Sequence, residues 1–279
     1  METVAFYGAG MLGSGFVKNL RRHGYAVNVW NRTFEKAEVL EEDGIRAFRD
    51  AAEAARGASR IHICVRDDDA VDFILQAALP AIDRSAIIAD HTTVLPQTVE
   101  ARAKRLHDAG YSFLHVPVFM GPPNALNGTG TMLVSGPQAI FDKIKDRLAQ
   151  MTGTVKYLGE RPDLAAVYKL MGNAMILAVV GGLNDVYRIG EEQGLSREKA
   201  YELFSFYQVQ GQIDGRGKRM AQGDYTPTWT LDMAHKDATL MQLAAKGAEL
   251  PVIDAVETEL RDAMSRGLAA DDLAAMATR

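Results

Sequence analysis

The sequence predicts an α/β protein in two parts: an N-terminal doubly wound parallel sheet, then an all-α C-terminal part joined to it by one long helix. Three observations carry that reading. Short β-rich runs alternate with helical patterns through the first half of the 279 residues, which predicts a parallel sheet covered on both faces. Several of those runs are apolar at successive positions, as strands buried on both faces are. After Pro162 the strand signal stops and only helical periodicity continues.

The expected strands, in order, are 3–7, 26–30, 61–65, 86–90, 113–118, 131–135 and 155–158. A helix is expected at 11–23, and further helices at 35–42 and 97–109 alternate with the later strands. Residues 163–193 read as one long helix, with Pro162 at its start and Gly194 just past its end, the usual asymmetry of helix ends. Helical patterns follow at 197–206, 209–222, 231–246 and 252–266, broken at Gly223, Pro227, Pro251 and Gly267. The chain therefore divides into domains 1–161 and 162–279. Ligands of such sheets bind beyond the carboxyl ends of the strands. The long helix is expected to line a cleft between the two parts, a common setting for a small-molecule site.

Composition narrows the function classes. Hydrophobic residues make up 47% and charged residues 24%, an ordinary globular mixture. The net charge is −5 and no Lys/Arg stripe stands out, so nucleic acid is set aside as a partner. Cys64 is the one cysteine, which cannot form an internal disulfide and suits a reducing compartment. The N-terminus lacks the basic-then-apolar order of a signal peptide. The longest apolar stretch, 174–183, is too short for a bilayer of about 30 Å. The expectation is a cytoplasmic protein without a membrane partner. His23, His62, His91, His107, His115 and His235 are scattered without metal-ligand spacing, so no metal is expected. Asp67-Asp68-Asp69 reads as a helix start, where acids suit the dipole.

The first strand runs into Gly8-Ala9-Gly10-Met11-Leu12-Gly13, then a helix, then a second strand ending at Trp30. That is the full βαβ setting of a Rossmann dinucleotide fingerprint. Gly8 allows the tight turn, Gly10 lets the backbone approach a pyrophosphate, and Gly13 lets the helix pack closely on the sheet. The amides of Met11 and Leu12 open the helix, whose N-terminus suits phosphate. Where NAD enzymes place an acid at the end of the second strand, this chain has Asn31-Arg32-Thr33. No carboxylate repels a 2′-phosphate there, and Arg32 can hold one in planar fashion. Asn31 and Thr33 can add hydrogen bonds, Thr33 also as a helix N-cap. NADP(H) is expected in preference to NAD(H).

With these motifs on the page, the chain resembles the β-hydroxyacid dehydrogenases, which include 3-hydroxyisobutyrate dehydrogenases and semialdehyde reductases. The likeness spans nearly the whole chain. Asp90-His91-Thr92-Thr93 looks like the family's Asp-x-Ser-Thr motif, which implies Thr93 between nicotinamide and substrate. Val65-Arg66 falls where the family contacts the nicotinamide half. The family's substrate motif carries Ser-Gly-Gly, where this chain reads Phe119-Met120-Gly121-Pro122. The hydroxyl that helps hold a substrate carboxylate is gone, and Pro122 removes a backbone donor. A larger or more apolar substrate is expected. Trp229 to Asp237 resembles the family's aromatic-x-Leu-x-x-x-x-Lys-Asp segment, which implies that Lys236 reaches cofactor or substrate.

The family's catalytic Lys and Asn match Lys169 and Asn173. The chemistry also follows from spacing, since residues at i and i+4 share a helix face. A lysine in a partly dry site has a depressed pKa and can exchange protons near neutrality. Lys169 is expected to carry the proton and Asn173 to hold the amine or substrate. The expected function is an NADPH-dependent oxidoreductase for a small hydroxy acid and its aldehyde or keto partner. Imine reduction on the same architecture is the alternative, and a non-catalytic dinucleotide-binding protein a third. The apolar long helix also favours a homodimer or homotetramer.

Overall fold

The computed structural model describes residues 1–41 and 44–278. Glu42 and Arg279, the last residues of the expected 35–42 helix and of the expected second domain, lie outside them. Contacts divide the chain into two compact units, Met1–Asn173 and Ala174–Arg279. The division falls inside the long helix rather than at its start.

In the first unit, β1 (Thr3–Tyr7), β2 (Ala26–Trp30), β3 (Arg46–Phe48), β4 (Arg60–Ile63), β5 (Ile87–Asp90) and β6 (Ser112–His115) are parallel, in the order β3-β2-β1-β4-β5-β6. This is the doubly wound Rossmann order, and it reverses direction between β1 and β4, where such sheets bind ligands. β7 (Val118–Phe119) and β8 (Thr131–Ser135) add an antiparallel end, and β9 (Thr154–Gly159) pairs with β8 in parallel. Successive side chains of β1 feed opposite cores. Phe6 packs with Phe16, Leu20 and Leu114 on one face, while Ala5 and Tyr7 join Ile61, Ile74 and Phe113 on the other, as the two-residue period of a strand requires.

Three helices of this unit matter for the site: α1 (Met11–Arg22), α4 (Asp68–Ala78) and α5 (Pro96–Asp108), with α2 (Glu35–Glu38) and α3 (Ala51–Ala55) between the first two. α6 (Pro122–Asn127) and α7 (Gln138–Ala149) follow. Asp67 caps α4 by accepting from the Ala70 amide at 3.0 Å, as the acidic run predicted. Thr33 does not cap α2: the cap position is Phe34, without a side-chain hydrogen bond, so Thr33 starts a turn through its carbonyl instead. The expected 113–118 strand is two strands. Val116 makes the last bond to β5, and Pro117 faces β8, where its carbonyl accepts the Leu133 amide but it has no N–H to return; Val118 and Phe119 then pair with β8.

α8 (Leu164–Glu192) is a single helix of 29 residues and belongs to both units. With a mean hydropathy of 1.7 over its most apolar window, it is long and apolar enough by composition to cross a membrane. Reading only its uninterrupted 174–183 stretch missed this, because a helix of that length rises about 43 Å. The second unit also contains α9 (Arg197–Tyr201), α10 (Gln210–Gln212), α11 (Lys218–Gln222), α12 (Leu231–Ala244) and α13 (Pro251–Ala263). The expected 209–222 helix is interrupted by a π turn at Ile213–Gly217, where Gly215 and Gly217 weaken the ladder. Leu231, Ala234 and Ala238 of α12 pack against Leu260 and Ala263 of α13. Asp185 of α8 accepts from the Val252 and Ile253 amides at 2.9 and 3.0 Å and so closes the N-terminus of α13, which has no side-chain cap of its own.

Candidate active site

The glycine turn after β1 is built by contact. Gly8 has φ +110°, and a Cβ there would lie 2.1 Å from the Cys64 carbonyl oxygen. A Cβ on Gly13 would lie 1.9 Å from the Gly8 carbonyl oxygen, so α1 starts pressed onto the turn. Gly10 differs, because a Cβ there meets nothing within 4 Å. The protein does not itself require glycine at this position. The bare backbone there is open to a ligand, and the α1 N-terminus beyond it has no side-chain cap. This cradle fits the pyrophosphate of a dinucleotide. Met11 is exposed and Leu12 half-buried beside it.

The end of β2 is locked to this turn. The Ala9 amide donates to Asn31 Oδ1 at 2.9 Å, and Asn31 Nδ2 donates to the Thr33 carbonyl at 2.8 Å. Asn31 is therefore committed to the loop. Arg32 and Thr33 are exposed, and neither side chain has a partner among the described residues.

Beyond β4 and β5, the Val65 amide donates to Thr92 Oγ1 at 3.2 Å. Thr92, buried, thus fastens the two loops, while the expected contact residue Thr93 is exposed with its hydroxyl unpaired among the described residues. Arg66 is exposed and paired with Asp67 at 2.9 Å. His91 and His115 are fully buried and do not face solvent. His91 Nδ1 lies 3.0 Å from the Val116 carbonyl and its Nε2 lies 2.9 Å from His62 Nδ1. A carbonyl only accepts, so His91 carries its proton on Nδ1 and receives one from His62 Nδ1.

Lys169, Gly172 and Asn173 share one face of α8. The Lys169 amine sits over the Phe119 ring, 4.4 Å from its centroid. Gly172 makes room for that ring: a Cβ on it would lie 2.3 Å from Phe119 Cζ. Lys169 has no hydrogen-bond acceptor or carboxylate among the described residues, and burial lowers its pKa. Asn173 is half-buried, with its amide unpaired among the described residues. Met120 packs on Gly130, whose Cβ would lie 2.8 Å from Met120 Cγ. The Gly121 amide is already taken by Asn124 Oδ1 at 2.9 Å, and Pro122 and Pro123 bring no N–H.

The structure thus brings together the glycine turn with Asn31, and Phe119 with Lys169. Lys236 belongs to the second unit, exposed and paired with Asp237 at 2.8 Å. Gly172 and Thr92 were missed from sequence. The Thr92 signal lay in the Asp-x-Ser-Thr likeness, whose polar residue next to Thr93 was passed over.

Residues 3–159 match the family model for the NAD-binding domain of 6-phosphogluconate dehydrogenase. An uncharacterised oxidoreductase of Shewanella frigidimarina (strain NCIMB 400) is 30% identical over 264 residues, 92% of this chain and 90% of that protein. The chain belongs to the β-hydroxyacid dehydrogenase-like family. As a member it is an NAD(P)-dependent oxidoreductase. An NADH-dependent oxidoreductase of Aspergillus ustus is 32% identical over 189 residues, 66% of this chain and 64% of that protein. An imine reductase from Myxococcus stipitatus in complex with NADP+ superposes with a TM-score of 0.91 at 22% identity, over 98% of each chain. That similarity shows the shared two-part fold.

Proposed function

We propose that this protein is an NADPH-dependent reductase of small carbonyl compounds, the aldehyde or keto partners of small hydroxy acids, with Lys169 as the proton carrier. The observation that carries the reading is the Lys169 amine, half-buried over Phe119 and without a competing acceptor among the described residues. A desolvated ammonium gives up its proton more readily than one in water. Lys169 can therefore donate to a carbonyl oxygen as it becomes a hydroxyl, and take the proton back in oxidation. Asn173, one turn on, can orient that oxygen or the amine through its amide. A dinucleotide held by its pyrophosphate at the glycine turn would supply the hydride.

Arg32 supports NADPH over NADH, since its guanidinium is uncommitted and no acid occupies the end of β2. Removing a charge-assisted phosphate contact costs about 1.5–3 kcal/mol, so Arg32→Ala should weaken NADPH binding roughly 10- to 100-fold and NADH binding little. Equal effects on both would refute the assignment.

Imine reduction is the second reading, favoured by one feature of the site. In the 119–123 turn the Gly121 amide is occupied and Pro122 and Pro123 have no N–H, so three of its five backbone positions offer a carboxylate no donor. An imine without a carboxylate needs only a proton at nitrogen, which Lys169 can supply. The exposed apolar side chains of α8, among them Met171, Ile176, Leu177 and Val180, support a homodimer or homotetramer as the working form, and the single cysteine supports a cytoplasmic setting.

The test is a panel of aldehydes, keto acids, hydroxy acids and cyclic imines at saturating NADPH, read by absorbance. The expected result is turnover of a carbonyl or imine, reduced at least about 100-fold by Lys169→Ala with NADPH affinity unchanged. Near-normal turnover in that variant would overturn the role of Lys169.

A further inference from the structure

We propose that Arg102 is a positioning residue that, through Asp90 and Asp68, holds the two loops edging the cofactor side of the sheet at β4 and β5. The inference rests on the dinucleotide-binding part of the reading above.

Two ties cross between these loops. One is the Val65 amide on Thr92 Oγ1 at 3.2 Å. The other is the Leu95 amide on Asp68 Oδ2 at 3.1 Å. Together with the short segments between them, 65–68 and 92–95, they close a ring. Arg66 lies within the first segment and Thr93 within the second, both exposed. The ring sits at the carboxyl ends of neighbouring parallel strands, where such sheets take their ligands.

Arg102 stands behind both ties. It is 1% exposed, and its Nη2 donates to Asp68 Oδ1 at 2.9 Å, so the carboxylate that receives Leu95 is oriented from its other oxygen. Its Nη1 lies 3.7 Å from Asp90 Oδ2. Asp90, fully buried, accepts the Thr92 amide on Oδ1 at 2.9 Å, which sets the residue that receives Val65. Nε and Nη2 also reach the two oxygens of Asp72 at 3.2 Å each, tying α5 to α4. One planar fork therefore hydrogen-bonds two carboxylates of α4, Asp68 and Asp72, and lies against a third, Asp90 of β5, a geometry lysine cannot reproduce. A buried charge held this way is costly to build. Its bonds to Asp72 join the two helices, while its bond to Asp68 and its approach to Asp90 lead to the two loops.

The test uses Arg102→Lys, Arg102→Met, Asp68→Asn and Thr92→Val in the full chain, with thermal unfolding as the folding check. The first readout needs no cofactor: hydrogen exchange of the Val65 and Leu95 amides. In Arg102→Lys both should exchange at least tenfold faster, while in Thr92→Val only Val65 and in Asp68→Asn mainly Leu95 should do so. The second is NADPH affinity by fluorescence titration, expected to fall about 10- to 100-fold in Arg102→Met, the scale of a 1 Å misplacement, with partial recovery in Arg102→Lys. If Arg102→Met does not fold, Asp68→Asn and Thr92→Val decide, each testing one tie. Folded variants with wild-type exchange and wild-type NADPH affinity would overturn the proposal. A wild-type protein that binds no dinucleotide would instead sink the functional reading, with the exchange results still standing.

Discussion

Lowering the pH from 7 to 5 should cost the first unit about 5 kcal/mol of stability, and the loss originates in three buried histidines. His62, His91 and His115 are fully buried. Burial pushes His91 down to about 4 and His115 down to about 3, and it drives His62 well below the ordinary range, helped by His91. An unfolded histidine titrates near 6.5 (about the model-peptide value). Stability from these rings is therefore fully present above about pH 6.5 and is lost as pH falls, because the unfolded chain takes up protons that the folded one refuses. Each ring loses about 2 kcal/mol between pH 7 and 5, roughly 6 for the three. Asp90 acts in the opposite sense. Burial raises its carboxyl to about 6, against the pull of Thr92 and Arg102, so it protonates first in the folded state and returns about 1 kcal/mol over the same interval. The assay is urea unfolding at both pH values and fixed ionic strength, followed by Trp30 fluorescence in a Trp229→Phe background. His115→Leu removes a ring whose two nitrogens have no hydrogen-bond partner, keeps an apolar side chain of similar bulk, and should recover about 2 kcal/mol of the loss. Equal unfolding free energies at the two pH values, or an undiminished difference in His115→Leu, would refute the reasoning.

The glycine turn and the second unit make two further predictions. Gly10→Ala should fold with nearly unchanged Tm but lose NADPH binding in a fluorescence titration, because its Cβ meets no protein atom within 4 Å. Gly13→Ala should instead lower stability by about 1–3 kcal/mol in urea unfolding, because its Cβ falls 1.9 Å from backbone oxygen. Burial pushes the Asp272 carboxyl up, but hydrogen bonds from Thr228 and from the Ala274 and Trp229 amides outweigh it and hold it well below the usual carboxylate range. Asp272→Ala strands those donors and Arg216 and should destabilise the second unit by about 3–5 kcal/mol, read by the Trp229 transition.

What the sequence made legible follows from how local each constraint is. Strands β1 and β5 announced themselves as near-continuous apolar runs, and β2 and β4 through their Val and Ile residues, although Asn28, Arg60 and His62 alternate with these. β3 did not, since Arg46-Ala47-Phe48 is a three-residue edge strand with one neighbour and too short for any periodicity. The break of the expected 113–118 strand was readable in principle from Pro117, which has no amide to give a neighbouring strand. The glycine turn was fully legible because Gly8 and Gly13 are required by contacts within the turn or to the next strand. The ties among Arg102, Asp68 and Asp72 were not, because the partners lie 30 to 34 residues apart. Asp68 looked like one of three acids at a helix start, and only its neighbour Asp67 caps that helix.

Lys169 shows the same division inside one site. The i, i+4 spacing put Lys169 and Asn173 on a common face, but spacing says nothing about what the amine meets. That depends on Phe119, which arrives from the antiparallel end of the sheet, and on Gly172, whose missing side chain lets the ring lie against α8. The ring acts on the amine in two opposing ways. It removes water, which favours the neutral amine, and it offers a π face, which favours the ammonium by about 0.5–2 kcal/mol. Burial lowers the pKa of the amine, which tips it toward the neutral form. A carboxylate in the place of the ring would reverse that balance and hold the proton on Lys169. An aromatic neighbour keeps the amine in place while leaving its proton free to move, and this is why Phe119 fits a proton carrier better than any acidic residue would.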